Sequence, residues 1–230
     1  MYCSCSRLAA GGRIYRLPFA CHGYASCWRR FSFWRKRGAL KLVWQEVLLI
    51  LDKQGKLDLS LGNLDGSLVQ SPKFQGTGFS KKHKRTGTNI SLVTEKQGLP
   101  LANVLAKGNR HDIVSAEATV KKIRVGAKRR LAELNADKGY DSAAFRRNLR
   151  KRGIKTNIPE RKYKHRRKLG RKPRYNKTQF KFRAFAERTN AWLKYFYFRK
   201  LRYRWERKKC MFQAMVDLAC LLICLRRVEI

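Results

Sequence analysis

Apolar residues recur at helical spacing between Tyr24 and Asp52, where Trp28, Phe31 and Trp34 are followed by Leu40, Val43, Val47 and Leu48. That periodicity predicts two helices broken at Gly38, the first made basic by Arg29, Arg30, Arg35, Lys36 and Arg37. From Leu57 the period shortens to two through Leu59 and Leu61, and Asn63 to Val69 then reads as a strand containing Asp65. A loop from Ser71 to Arg85, with several glycines and lysines, separates this strand from two short apolar runs, Thr88 to Thr94 and Leu99 to Ala106. The turn Lys96-Gln97-Gly98 joins those runs into a hairpin. A helix is expected after His111, with Asp112 as its N-cap, reaching about Arg124. Leu131 to Ala136 reads as a strand ending at Asp137, followed by a turn through Gly139 and a helix capped by Asp141 or Ser142. Lys155 to Ile158 is a short strand stopped by Pro159, and Phe180 to about Tyr197 is a helix. The last apolar run, Met211 to Leu225, is shorter than the ~20 residues a bilayer requires and reads as a buried core helix.

Strand, hairpin, helix, strand, helix, strand and further helices describe an α/β chain with helices packed on a mixed sheet. The first twenty residues show only weak periodicity and are assigned no structure. They also lack the long apolar stretch of a signal peptide. Seven cysteines, Cys3, Cys5, Cys21, Cys27, Cys210, Cys220 and Cys224, form no C-x-x-C pair, so reduced thiols in a cytoplasmic protein are expected in preference to zinc or disulfides.

Charge narrows the function. The chain holds 55 Lys plus Arg against 15 Asp plus Glu, a formal charge of +40. Such a fold repels itself unless a polyanion or salt screens it, and nucleic acid is the usual partner. The cations are spread along the chain instead of lying opposite one apolar helix face, so a membrane partner is not expected. Between Glu160 and Glu187 there is no acidic residue, and Arg166, Arg167, Lys168, Arg171 and Lys172 are expected to follow a phosphate backbone there.

Against that background, acidic residues in apolar contexts stand out. Asp65 lies in Leu-Asp-Gly-Ser, Asp137 in Asn-Ala-Asp-Lys-Gly-Tyr-Asp, and Glu187 in Phe-Ala-Glu-Arg. Carboxylates from separate elements can hold two divalent ions about 4 Å apart, which activate a nucleophile and stabilise a leaving oxygen in phosphodiester chemistry. Asp137, at the C-terminal end of its strand, is placed where open sheets gather ligands. Plainer explanations exist for each: a hairpin turn at Asp65-Gly66, a turn residue at Asp137, an i,i+4 ion pair at Glu187. Asp52, Asp58, Asp112 and Asp141 are competing acids. On the helix expected there, Phe180, Arg183, Glu187 and Lys194 fall on one face, putting a carboxylate beside two cations suited to phosphate.

Phe180-x2-Arg183-x3-Glu187-x6-Lys194 resembles the Y-x2-R-x3-E-x6-K signature of DDE transposases of bacterial insertion sequences, in the insertion-sequence-4/5 group. The contexts of Asp65 and Asp137 are similar to that family's. So are Gly-Leu-Pro-Leu at 98 to 101, Arg-His-Asp at 110 to 112, and Glu187 onward through Arg-Tyr-Arg-Trp-Glu-Arg. The resemblance covers roughly Cys27 to the end. Phe180 stands where the signature has tyrosine, and the first twenty residues do not look like the family's N-terminal helical region.

The resemblance implies an RNase H-like mixed sheet flanked by helices, preceded by a short N-terminal helical region. It divides the chain into a poorly defined leader (1–20), a helical region read as a DNA-binding remnant (21–55) and a catalytic domain (56–230). It further implies a transposase that cleaves DNA and transfers strands at insertion-sequence ends. Asp65, Asp137 and Glu187 would be catalytic metal ligands for two Mg2+ ions, with Mn2+ able to substitute. Arg183 and Lys194 would contact DNA. The expected partners are double-stranded DNA, as transposon ends and target, and a second copy in a synaptic homodimer. The expected location is the bacterial cytoplasm, in association with the nucleoid. A catalytically decayed remnant, a nuclease that does not transfer strands, or a non-catalytic basic nucleic-acid-binding protein are the competing readings.

Overall fold

A computed structural model describes residues 8–10, 13–15, 23–126, 130–161, 173–196, 198 and 201–228. Two compact units divide at Ala39 and Leu40. In the first, strands β1 (Leu8–Ala10) and β2 (Arg13–Tyr15) pair as an antiparallel hairpin within the leader to which the sequence assigns no structure. Helix α1 (Tyr24–Lys36) follows, and none of its side chains is buried.

Helix α2 (Ala39–Lys53) leads into the second unit and buries Trp44, Val47, Leu48 and Leu51. Strand β3 (Leu61–Gln70) is the centre of a six-stranded sheet. Along one edge it pairs antiparallel with β5 (Arg85–Glu95), whose far edge carries β4 (Gly78–Ser80) at its start and β6 (Pro100–Lys107) along the rest. Along its other edge β3 pairs in parallel with β7 (Glu133–Ala136), and β7 in turn with β8 (Lys155–Asn157). An antiparallel hairpin thus meets a parallel half at β3. This mixed sheet flanked by helices is the RNase H-like architecture.

Strand alternation sorts the helices onto the two faces. Gly66 and its partner Ser91 face α3 (Asp112–Lys121), where Thr119 donates to Ser91 Oγ at 2.8 Å. Asp65 and Asn103 face the other way, toward α6 (Arg183–Ala191) and α7 (Lys209–Leu225), since Asn190 donates to Asp65 and Asn103 to Asp217. Helix α7 buries Phe212, Val216, Ala219, Cys220 and Ile223 and is a core helix as expected. Among the described residues no helix is long and apolar enough to cross a membrane.

Two local expectations change, and between the two caps offered for the following helix one is selected. The N-cap of α3 is His111, while Asp112 is the first helical residue and accepts a hydrogen bond from Asn89 Nδ2. Helix α4 (Ala143–Lys151) takes Ser142 as its cap, because Asp141 is held by Arg146 at 2.9 Å. The helix expected from Phe180 to Tyr197 is not continuous. Asn176 caps a short α5 (Lys177–Phe180), α6 starts anew at Arg183, and residues Trp192–Phe196 widen into a π-helical turn. Such insertions reorient the side chains that follow them.

Candidate active site

Two asparagines set the level of the first two carboxylates. Parallel pairing aligns Asn63 with Asn135 and Leu64 with Ala136, so Asp65 and Asp137 follow at the same height on neighbouring strands. Parallel neighbours run about 4.8 Å apart. Asn135 Nδ2 donates to Asn63 Oδ1 at 2.9 Å, and Asn157 Nδ2 to Asn135 Oδ1 at 2.8 Å, a buried ladder across three strands. Asn135 also donates to the Gln179 carbonyl at 2.7 Å, and Asn157 exchanges hydrogen bonds with the backbone of Asn176. The ladder therefore anchors the segment leading into α6 beneath the two aspartates.

Helix α6 supplies the third carboxylate and a shared cation. Arg183 Nη2 lies 2.7 Å from Glu187 Oε1 and 3.8 Å from Asp65 Oδ1, while its Nη1 lies 3.7 Å from Asp137 Oδ1. One guanidinium gathers all three acids. Asp65 is the most enclosed of them: burial raises its pKa, Glu187 adds to the rise, and Arg183, the Gly66 backbone and Asn190 oppose it. Asp137 and Glu187 are far more exposed, and Asp137 Oδ1 also accepts from Lys138 N at 2.6 Å. A cleft of about 660 Å³ opens beside Asp137, lined by Lys82, Lys138, Gly139, Glu160 and Arg161.

Lys194 reaches β3 on the face that carries Asp65. The π-helical turn directs its ammonium into β3, where it donates to Ser67 Oγ and, at 2.7 Å, to the Leu68 carbonyl. Burial lowers its pKa to about 8, with Asp65 acting against that shift. Phe180 lies under the Arg183 guanidinium, 5.6 Å from ring centroid to Cζ. The basic residues Arg166, Arg167, Lys168, Arg171 and Lys172 lie outside the described residues.

Of the competing acids, Asp58 pairs with Lys96 at 3.1 Å and Asp141 with Arg146, both apart from this cluster. Asp112 is closer. A Cβ at Gly66 would come 3.1 Å from the Asp112 carboxyl and 3.2 Å from the Tyr140 hydroxyl, so the glycine after Asp65 leaves room for both. The Tyr140 hydroxyl is buried without a hydrogen-bond partner, and its pKa is raised well above the ordinary value by burial and then by Asp112, Asp65 and Asp137.

The residues fit divalent cations in donor chemistry. Carboxylate oxygens are the hard ligands such ions take, and one guanidinium answers for three acids, a charge imbalance that a divalent ion would correct. As they stand, no three His, Cys, Asp or Glu side chains among the described residues form a metal cage. Arg183 must shift for the acids to close on an ion. Sequence reasoning missed Asn190, Tyr140 and the ladder, although Asn63-Leu64-Asp65 and Asn135-Ala136-Asp137 repeat an Asn-x-Asp pattern that marks it.

Residues 57–223 match a family model described as "Transposase DDE domain". Over 154 residues the chain is 36% identical to a protein of Burkholderia cepacia named "Putative transposase for insertion sequence element IS402", a match spanning 63% of this chain and 67% of that protein.

Proposed function

Because the chain belongs to the transposase DDE domain family, whose members bind DNA and generally use divalent metal ions, we propose that it cleaves DNA at the ends of an insertion sequence and transfers the freed strands. The observation that carries this reading is the single guanidinium of Arg183 in reach of Asp65, Asp137 and Glu187.

In this proposal Asp65, Asp137 and Glu187 hold two Mg2+ ions, for which Mn2+ can substitute. Bound there, the ions supply the positive charge that activates a nucleophile and stabilises the leaving oxygen. The chain does the rest. Asn190 fixes the carboxylate plane of Asp65, and the Asn63–Asn135–Asn157 ladder keeps the two aspartate strands level. Lys194 pins β3 just beyond Asp65, acting through the strand instead of on DNA directly. Arg183 restrains the acids in the metal-free state and, once released from them, offers its two-pronged donor edge to the scissile phosphate. Lys82, Lys138 and Arg161 line the adjoining cleft for neighbouring phosphates. Arg166, Arg167, Lys168, Arg171 and Lys172 carry much of the salt-dependent affinity. Joining two ends calls for two such sites, so two copies assemble on the DNA as a homodimer, at the nucleoid in the bacterial cytoplasm.

The deciding experiment incubates the full chain with DNA carrying the element's terminal repeats, with and without Mg2+. Cutting at the repeat boundary that needs Mg2+ and is abolished by Asp65→Asn, with DNA binding retained, supports the reading. Binding without cutting in either condition would make the chain a decayed or purely DNA-binding relative.

A further inference from the structure

The segment Arg202 to Arg207 reverses the usual rule of burial. Arg204 is fully buried and Glu206 is 8% exposed, while Trp205 between them is 66% exposed. Large aromatics ordinarily go inside and charges outside, so an extended stretch that keeps its arginine and shows its tryptophan is built for something other than core packing.

The inversion is held firmly. Arg204 donates to Thr88 Oγ1 at 2.7 Å and to the carbonyls of Gln75, Glu206 and Arg207 at 2.8, 2.9 and 3.2 Å. Its guanidinium also stacks over Phe212 of α7, 5.3 Å from the ring centroid. The backbone is tied to the sheet as well: Tyr203 bridges Gln70 at the end of β3, and Arg204 N donates to the Gln70 carbonyl at 2.9 Å. These hydrogen bonds offset the cost of burying the arginine and fix the outward side chains on either side of it.

Those outward side chains form a surface of aromatics and cations. The rings of Tyr203 and Trp205 lie 4.8 Å apart, tilted by 51°. Nearby, Arg202 covers the exposed ring of Tyr195 at 5.3 Å, and Arg207 and Lys208 are exposed. A double helix presents stacked, paired bases whose faces are hidden, so a rigid exposed indole gains little from it. An unpaired base offers a free π-face, and stacking on an aromatic with cations alongside is how single strands are held.

We infer that Trp205, backed by Tyr203, is a stacking platform for an unpaired nucleobase of the bound DNA. Gln70 is five residues beyond Asp65 on β3, which at about 3.4 Å per residue places the platform roughly 17 Å along the strand from the candidate active site. That is about five nucleotides at stacked spacing. The platform would hold DNA whose strands have parted near the cutting site, and so favour melted or tailed ends over intact duplex. This inference rests on DNA being the substrate, but not on the metal chemistry.

The test measures binding of the full chain, without divalent cations, to a blunt duplex and to the same duplex carrying a short single-stranded thymidine tail. The intact protein should prefer the tailed DNA. Trp205→Ala should weaken tailed binding roughly five- to hundredfold, leave blunt binding and the salt slope unchanged, and be largely rescued by Trp205→Phe. Thermal melting of the variants shows that the exposed site is changed without unfolding. No tail preference in the intact protein, no loss in Trp205→Ala, or equal loss on both DNAs would overturn the platform. An absence of Mg2+-dependent cutting would sink the proposed chemistry alone, because this measurement involves no cutting.

Discussion

Asn135 Nδ2 lies 2.9 Å from Asn63 Oδ1, and each asparagine sits two residues before an aspartate of the candidate site on adjacent parallel strands. A slip of one residue between these strands would turn one aspartate to the opposite face. Directional amide hydrogen bonds oppose that slip in a way an apolar pair would not. Asn135→Leu keeps the branched shape, with bulkier methyls, but leaves Asn63 Oδ1, the Asn157 amide and the Gln179 carbonyl short of partners. At about 1–3 kcal/mol for each buried group left unsatisfied, urea denaturation should show a loss of several kcal/mol. In whatever fraction folds, cleavage should fall more than DNA binding. A stability change under about 1 kcal/mol would mean that the ladder does not set the register.

The sequence announced the parts of this site better than their assembly. Asp65 and Asp137 could be read because the first lies within an apolar strand and the second follows the end of one, and the hairpin from β5 to β6 because Lys96-Gln97-Gly98 is strong turn chemistry. Gly98 adopts φ +102° there, and Thr189 of α6 donates to its carbonyl at 2.5 Å. What stayed hidden depends on tertiary partners. The helical pattern after Phe180 runs on unbroken, but the Asn176 cap, the restart at Arg183 and the π-helical turn are set by the sheet below. Strand β4 is too short to leave a period. Polar residues in a strand look like a solvent face until a neighbouring strand brings a matching asparagine, so the ladder had no signal within any one segment.

Gly66 and Gly139 separate close packing from open turn. An alanine at Gly66 would press its Cβ to 3.1 Å from the Asp112 carboxyl and 3.2 Å from the Tyr140 hydroxyl, whereas a Cβ at Gly139 meets nothing within 4 Å. Tyr140 ends the turn that begins at Asp137, so displacing it disturbs the second carboxylate. Gly66→Ala should cost about 1–3 kcal/mol of overpacking and depress cleavage further than that loss alone explains. Gly139→Ala should leave the melting temperature near that of the parent. Equal behaviour of the two variants would remove Asp112 and Tyr140 from the architecture of the site.

Glu95 gives a pH dependence with a definite sign. It is fully buried at the end of β5, where Oε1 accepts from Leu99 N at 3.0 Å. Burial raises its pKa against the opposing backbone donors of Gln97 and Leu99. A carboxyl raised on folding contributes stability that is fully present below its ordinary value, near 4.5, and lost as pH climbs through the raised one. Glu95→Gln keeps the acceptor and drops the charge. It should therefore melt higher than the parent at neutral pH, with the difference closing below pH 4.5. A gap that widened on acidification would mean Glu95 is stabilised as the anion.

Arg183 is the sharpest single test of the proposed site. If it stands in for cations among Asp65, Asp137 and Glu187, removing its charge leaves three acids repelling one another, with Asp65 pushed further toward its protonated form. Metal-free Arg183→Gln should melt lower than the parent. Mg2+ or Mn2+ should then raise its melting temperature by more than it raises the parent's, because ions no longer compete with a guanidinium and bind the folded state preferentially. Cleavage should nonetheless fall by about two to three orders of magnitude, the usual cost of losing a donor aimed at developing charge. DNA affinity, carried by many other cations, should change by less than about threefold. Were Arg183 only a surface partner of Glu187, an i,i+4 pair worth about 0.3–0.5 kcal/mol, the variant would show an unaltered metal response. That outcome would detach Arg183 from the three carboxylates and leave their convergence without a function.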